Sequence, residues 1–231
     1  MFFDPMYIVL VLLPGLAISG IASLMVKSAF NRYSKVRSIR GMTGAQAAQV
    51  LLDQAGIHDV RIVPAHGFLS DHYNPLSKEL ALSEQVYSSN SVAAIGVATH
   101  EAGHAIQHAT HYFPLWARSA LVPMASIGSN LGLIVMAVGL FISQFVVILG
   151  AILFGSVLLF QLVTLPVEFN ASSRAKRLVV EAGIVYPEER VGIDAVLNAA
   201  ALTYVAAAIS TLLTLLYYLW RAGLLGGGRR D

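Results

Sequence analysis

The chain has 231 residues, 56% of them hydrophobic and 12% charged, and a formal net charge of +2. That balance is too apolar for an ordinary soluble domain and too weakly basic to argue for a nucleic-acid partner, so several membrane spans around one modest polar domain are expected. Cysteine is absent, which excludes both a disulfide framework and a thiolate-bound metal.

Taken in order, residues 7–26 contain no Asp, Glu, Lys, Arg or His, and about 20 apolar residues suffice to cross a hydrocarbon core. Positive charge follows this stretch, at Lys27, Arg32, Lys35, Arg37 and Arg40, and does not precede it. The stretch therefore reads as a retained anchor with its amino terminus outside, not as a cleaved signal. A polar region, 27–118, comes next. Thr43 with Gln46 makes a capping box, Ala47, Val50 and Leu51 an apolar face, and Gly56 a helix end. Val60–Pro64 and Glu79–Ser83 are predicted as short strands of a small sheet. An edge strand can accept an extended peptide as an added strand. Leu80 and Leu82, within 80–83, are the candidates for that role, with an ordinary scaffold strand as the alternative. Between the strands, His66 and His72 lie in a loop with Gly67, Asn74 and Pro75. A loop histidine there can polarise a substrate carbonyl or simply hold the loop.

The chemistry concentrates at His100-Glu101-Ala102-Gly103-His104. An apolar run from Ser91 to Thr99 precedes it, with Ser89, Asn90 or Ser91 available as N-cap, so a helix over about 91–111 is predicted with the motif inside it. Residues four apart share a helix face, with about 5–6 Å between Cβ atoms, so His100 and His104 can offer two imidazole nitrogens to one metal ion. Glu101 beside them can take a proton from a metal-activated water and return it to a leaving amine, which is the chemistry of metal-assisted peptide hydrolysis. Catalytic zinc normally has three protein ligands. His108 is too far along a straight helix to join the same tetrahedron, and His111 is farther, so both are expected to be solvated or to stand behind the ligands. The extended pattern H-E-x-x-H-x-x-G-x-x-H needs Gly and His where this chain has Gln107 and Thr110.

Apolar stretches at 120–142 and 145–166 follow, separated by Ser143-Gln144, and another at 199–220 precedes Arg221 and a glycine-rich tail, 226–231, expected to be disordered. The most polar residues within these spans are Asn130 and Gln161, expected to hydrogen-bond between helices. Lys and Arg number eight in 27–118, four in 167–198 and three after 220. The positive-inside bias then places both polar segments, with His100, His104 and Glu168, on the cytoplasmic side. Glu168 follows Pro166, which is expected to kink the helix, and small residues at Ala171, Ser172 and Ala175 allow close packing. Its spacing admits two readings, a third metal ligand or a carboxylate flanking a membrane helix. Arg174, Lys176 and Arg177 are expected to anchor on anionic headgroups, with a carboxylate partner as the alternative for Arg174.

H-E-A-G-H-A-I-Q at 100–107, with Ser70-Asp-His-Tyr-Asn-Pro75 and Leu82-Ser83 before it and Leu165-Pro-Val-Glu-Phe-Asn-Ala-Ser172 after it, resembles the bacterial YugP-type family of predicted membrane zinc metallopeptidases. The resemblance covers about residues 5 to 220. More distantly, Glu168 with Ala171 and Ala175 is similar to the E-x-x-A-D-x-x-A helix of the heat-shock and CAAX-processing membrane peptidases. That likeness implies that Glu168 is the third zinc ligand. Ser172 stands where that motif has aspartate, and Asn74 and Asn170 stand where the YugP-type pattern has aspartate. An amide keeps the hydrogen bond but not the charge, so metal affinity or pH optimum is expected to differ.

The expected protein is mainly α and integral to the membrane. Four transmembrane helices (7–26, 120–142, 145–166 and 199–220) accompany a small α+β zincin-like metallopeptidase domain, with 167–198 supplying a ligand. The expected function is a metalloendopeptidase at the cytoplasmic face of the cell membrane. One Zn2+ is held by His100, His104 and Glu168, Glu101 is catalytic, and His72, Asn170, Arg174, Leu80 and Leu82 support the ligands or the substrate. The expected partners are the lipid bilayer and a membrane-associated polypeptide substrate, and no motif speaks to an oligomeric state. Competing readings are a metal transporter, which would place ionisable groups within its spans, and a catalytically silent metal-stabilised scaffold, which would have little use for Glu101.

Overall fold

The structure is a computed structural model describing residues 4–67 and 70–225, so the tail at 226–231 lies outside the described residues. In chain order, helix α1 (Pro5–Tyr33), α2 (Gly44–Gln54), strands β1 (Arg61–Ala65), β2 (His72–Asn74) and β3 (Glu79–Ser83), and a single helical turn α3 (Glu84–Tyr87) lead to the motif helix α4 (Val92–Ala109). Three long helices follow, α5 (Phe113–Ile142), α6 (Gln144–Glu181) and α7 (Arg190–Arg221). Helices α1, α5, α6 and α7 are long and apolar enough to cross a membrane. The chain divides into two compact units.

One unit comprises Ser23–Trp116 and Pro166–Leu202. Its first helix starts where the capping box is predicted. The Thr43 hydroxyl accepts from the Gln46 N–H at 3.3 Å, and the Gln46 side chain accepts from the Thr43 N–H at 2.9 Å. Ala47, Ala48, Leu51 and Leu52 on α2 are buried in one core with Ile95 and Ala98 of α4 and Leu80 and Leu82 of β3. The sheet order is β1-β3-β2, with β3 parallel to β1 and antiparallel to β2. This overturns the expectation that 80–83 is an edge. β3 is hydrogen-bonded on both sides, and Leu80 and Leu82 are fully buried, so neither its backbone nor those side chains are available to a substrate. The alternation that marks the strand reports its burial and is silent on its neighbours. β2, a three-residue edge strand, lies in the segment expected to be loop, where its turn-forming neighbours mask so short an element.

Helix α6 passes through Pro166 and ends only at Glu181. A proline inside a helix removes one N–H and costs about 3 kcal/mol. Beyond it, Val167, Ala171, Ala175 and Val179 recur every four residues, and all are fully buried. That stripe supplies the packing that keeps the helix going.

The other unit gathers the residues up to Ala22, Ala117–Leu165 and those from Thr203 onward. Val11, Met136, Phe154, Tyr217 and Tyr218 form its buried cluster. Ser143, in extended backbone, separates α5 from α6 as the two-residue connection predicts. A Cβ at Gly150 would lie 2.4 Å from the backbone nitrogen of Met136, so these two helices touch backbone to backbone. Leu16, Ile21, Phe141 and Ile152 point outward and are exposed, as side chains facing lipid would be. The expected bonding between helices takes another form. Asn130 donates to the Ser126 carbonyl of its own helix at 2.8 Å, and Gln161 Oε1 is buried with no hydrogen-bond partner among the described residues.

Candidate metal centre

Helix α4 begins at Ser91, whose hydroxyl accepts from the Ala94 N–H at 3.2 Å. From Ala98 to Gln107 almost every residue is buried, Glu101 and His104 included, while His100 is half-buried. Gly103 packs directly on α6: a Cβ there would sit 2.9 Å from the Ala171 carbonyl oxygen. With no side chain between the two helices, Glu168, one helical turn before Ala171, comes within reach of both histidines.

Glu168 Oε2 lies 3.3 Å from His100 Nε2 and 3.4 Å from His104 Nε2. One donor atom from each of the three residues falls within 4.8 Å of the others. The edges of a regular tetrahedron are 1.63 times its centre-to-corner distance, about 3.3–3.4 Å for zinc bonds of about 2.0–2.1 Å. Both nitrogen-to-oxygen separations match such an edge, and two imidazoles with one carboxylate are a donor set that zinc takes. The residues fit one zinc ion.

The hydrogen bonds behind the ligands settle one tautomer. Arg174 Nε–H can only donate, and it does so to Asn170 Oδ1 at 2.8 Å. The same oxygen accepts from Gln107 Nε2 at 3.0 Å, and Gln107 Nε2 also donates to the Val167 carbonyl at 2.8 Å. The Gln107 amide is thus oriented with its Oε1 toward His104 Nδ1, 2.9 Å away. His104 Nδ1 must carry a proton, and Nε2 turns toward the Glu168 carboxylate. Two lone pairs at 3.4 Å repel, so that nitrogen calls for a second proton or a cation. The same demand appears as a shift: burial pulls the His104 pKa down, but the bond to Glu168 and the charge of Glu101 outweigh it and hold it above the ordinary imidazole value. His100 has a simpler support, Ser172 Oγ at 3.1 Å from its Nδ1.

Of the residues singled out from sequence, the structure brings together His100, His104 and Glu168, with Glu101 buried next to His100 and Asn170 and Arg174 in the chain of bonds leading to His104. It does not bring in His72, which is exposed and bonded through Nδ1 to the Ser70 carbonyl at 2.8 Å, or His66, whose Nδ1 lies 3.0 Å from Glu84. His108 bonds the Tyr73 hydroxyl at 2.9 Å, tying α4 to β2, and His111 is exposed. Gln107 is the main residue missed. Its sequence signal is only an amide three positions after His104 on the same helix; the structure shows that amide fully buried. Asp71 is another. It accepts from the N–H and hydroxyl of Ser83 at 2.8 and 3.1 Å, and burial, reinforced by the charge of Glu101, raises its pKa.

Over residues 7–223 the chain matches the family described as "Putative neutral zinc metallopeptidase". It is 44% identical over 214 residues to "Putative membrane protease YugP" of Bacillus subtilis (strain 168), an alignment covering 92% of this chain and 95% of that protein. No solved structure matches the chain. The family match takes in nearly the whole sequence, motif helix and Glu168 helix together, and the chain therefore belongs to the neutral zinc metallopeptidase family so described.

Proposed function

We propose that the chain is a membrane-bound zinc endopeptidase whose single Zn2+ is held by His100, His104 and Glu168. The observation that carries this reading is the pair of 3.3 and 3.4 Å separations from one Glu168 oxygen to the two Nε2 atoms, beside a His104 whose Nδ1 proton leaves Nε2 to face the carboxylate. Zinc, when bound, supplies a Lewis acid that polarises the scissile carbonyl and lowers the pKa of a coordinated water to about 7. Glu101, buried and next to His100, accepts the proton of the attacking water and delivers it to the leaving amine nitrogen. The unpaired outer edge of β2 is the place where an extended substrate can add as a strand, since β2 is the edge strand bonded to α4 through Tyr73 and His108. The distribution of Lys and Arg supports a cytoplasmic-face site acting on membrane-associated polypeptides. A scaffold would leave unexplained a buried carboxylate beside the histidine pair.

The test is zinc content and casein cleavage for purified wild type, Glu101→Gln and Glu168→Ala in detergent. Glu101→Gln should keep zinc and lose hydrolysis by at least about 100-fold, and Glu168→Ala should lose both. Stripping wild type with a chelator should abolish cleavage, and zinc should restore it. Cleavage by Glu101→Gln at the wild-type rate would overturn the mechanism.

A further inference from the structure

A cavity of about 350 Å3 opens between α6 and the start of α7. Ser172, Ser173, Lys176, Arg177, Arg190 and Asn198 form its polar wall, Phe169 and Ala201 its apolar one, and among the described residues no carboxylate lines it. Two of its cations have a carboxylate one helical turn away, Arg177 with Glu181 and Arg190 with Asp194, each at 3.5 Å and partly exposed, so both pairs are weak. Lys176 is half-buried; its ammonium bonds the neutral Asn198 amide oxygen at 2.5 Å, and the Asp194 carboxylate acts on it through charge without a bond between them. With the Ser172 hydroxyl engaged by His100, an ammonium, two guanidiniums and the Ser173 hydroxyl remain at this concavity, and these are donors that phosphate oxygens take. A positive-inside bias requires only a count of cations in a segment. It does not require them to converge on a cavity without a lining carboxylate.

Position narrows the source of the anion. Residues 169–177 follow directly on the apolar stretch of α6, and 190–201 directly precede that of α7, while Phe169 is exposed at the cavity. Lys176 and Arg190 stand ten and nine residues, about 15 and 14 Å of helix, beyond the apolar stretches at 145–166 and 199–220, and their long side chains can reach back toward the headgroups, where anionic lipids concentrate. We infer that this cavity binds a phosphate group, presented by the headgroup of an anionic phospholipid.

The test uses the full-length protein in a neutral detergent, titrated calorimetrically with dihexanoyl phosphatidylglycerol, dihexanoyl phosphatidylcholine and inorganic phosphate, each as a monomer. Phosphatidylglycerol should saturate one site and phosphatidylcholine should bind at least tenfold more weakly. The double variant K176Q/R190Q should weaken phosphatidylglycerol at least tenfold. K27Q/K35Q, which removes the same charge from exposed positions elsewhere, should leave it unchanged, and K176R, which keeps the charge, should bind as wild type and so separate a lost site from a lost fold. Competition by inorganic phosphate at similar concentrations would support the phosphate site but assign its source to solution. Binding by K176Q/R190Q at wild-type strength, an equal loss in K27Q/K35Q, or no saturable binding by wild type would overturn the proposal. Binding is read without activity, so its failure is distinct from failure of the peptidase reading.

Discussion

His100 and His104 face the same carboxylate oxygen, yet the structure behind each is of a different kind. Behind His104 runs a chain of bonds that begins at a group unable to accept, the Arg174 guanidinium, and passes through Asn170 and Gln107, so only one tautomer is compatible with it. Behind His100 stands one serine hydroxyl, which can rotate and either donate or accept. Two histidines that look equivalent in the motif are therefore unequal in preorganisation. In the proposed centre, His104 is already oriented for a metal, whereas the partner of His100 leaves its tautomer open. A histidine ligand usually depends on the partner of its second nitrogen, whose loss costs about 10–100-fold in metal affinity or activity. The asymmetry predicts where in that range each partner falls.

Gln107→Leu should have the largest effect, lowering zinc affinity toward about 100-fold in a competitive chelator titration. It also leaves the buried Val167 carbonyl and Asn170 amide short of a donor, so thermal or denaturant unfolding should show a loss of about 1–3 kcal/mol. Arg174→Leu should act more gently, by about tenfold or less on zinc affinity, because the Val167 carbonyl, which can only accept, still orients the Gln107 amide and only the Asn170 amide becomes free to flip. An affinity unchanged to within error in Arg174→Leu would mean that the arginine plays no part in setting the tautomer. Ser172→Ala should be the mildest, below about tenfold, since a water can replace a hydroxyl near a half-buried ring. Ser172→Asp should act in the opposite direction, tightening zinc severalfold by giving His100 an acceptor that cannot donate. If Ser172→Ala proved more damaging than Gln107→Leu, the ranking of the two histidines would be reversed.

The parts legible in the sequence are those coded by neighbours along the chain. The capping box at Thr43 and Gln46, the motif helix with its Ser91 cap, and the break at Ser143 are each decided within a few residues, and the structure has all three. Glu168 could be picked out only because a resemblance named it, since spacing alone left it a helix-flanking acid. What stayed hidden depends on partners far apart in sequence. The central place of β3 is set by pairing with β1 and β2 together. The role of Gln107 is set by Val167 and Asn170, 60 and 63 positions away. The continuation of α6 past Pro166 is set by a buried stripe whose burial depends on the helices packed against it.

Gly103 also bears on which ions the centre can discriminate. Bond lengths at a metal site are usually held to about 0.2 Å, a tolerance much finer than the size of a methyl group. Where two helices meet through side chains, each rotamer adds slack to the spacing. Here a bare α-carbon rests against a main-chain carbonyl, a contact with no rotamer to adjust. The pair behaves as a hard stop, so the spacing of the two helix backbones that carry the imidazoles and the carboxylate is set without a side chain between them. In the proposed centre such a stop suits a small tetrahedral ion better than the longer bonds, about 2.3–2.6 Å, that a calcium ion requires.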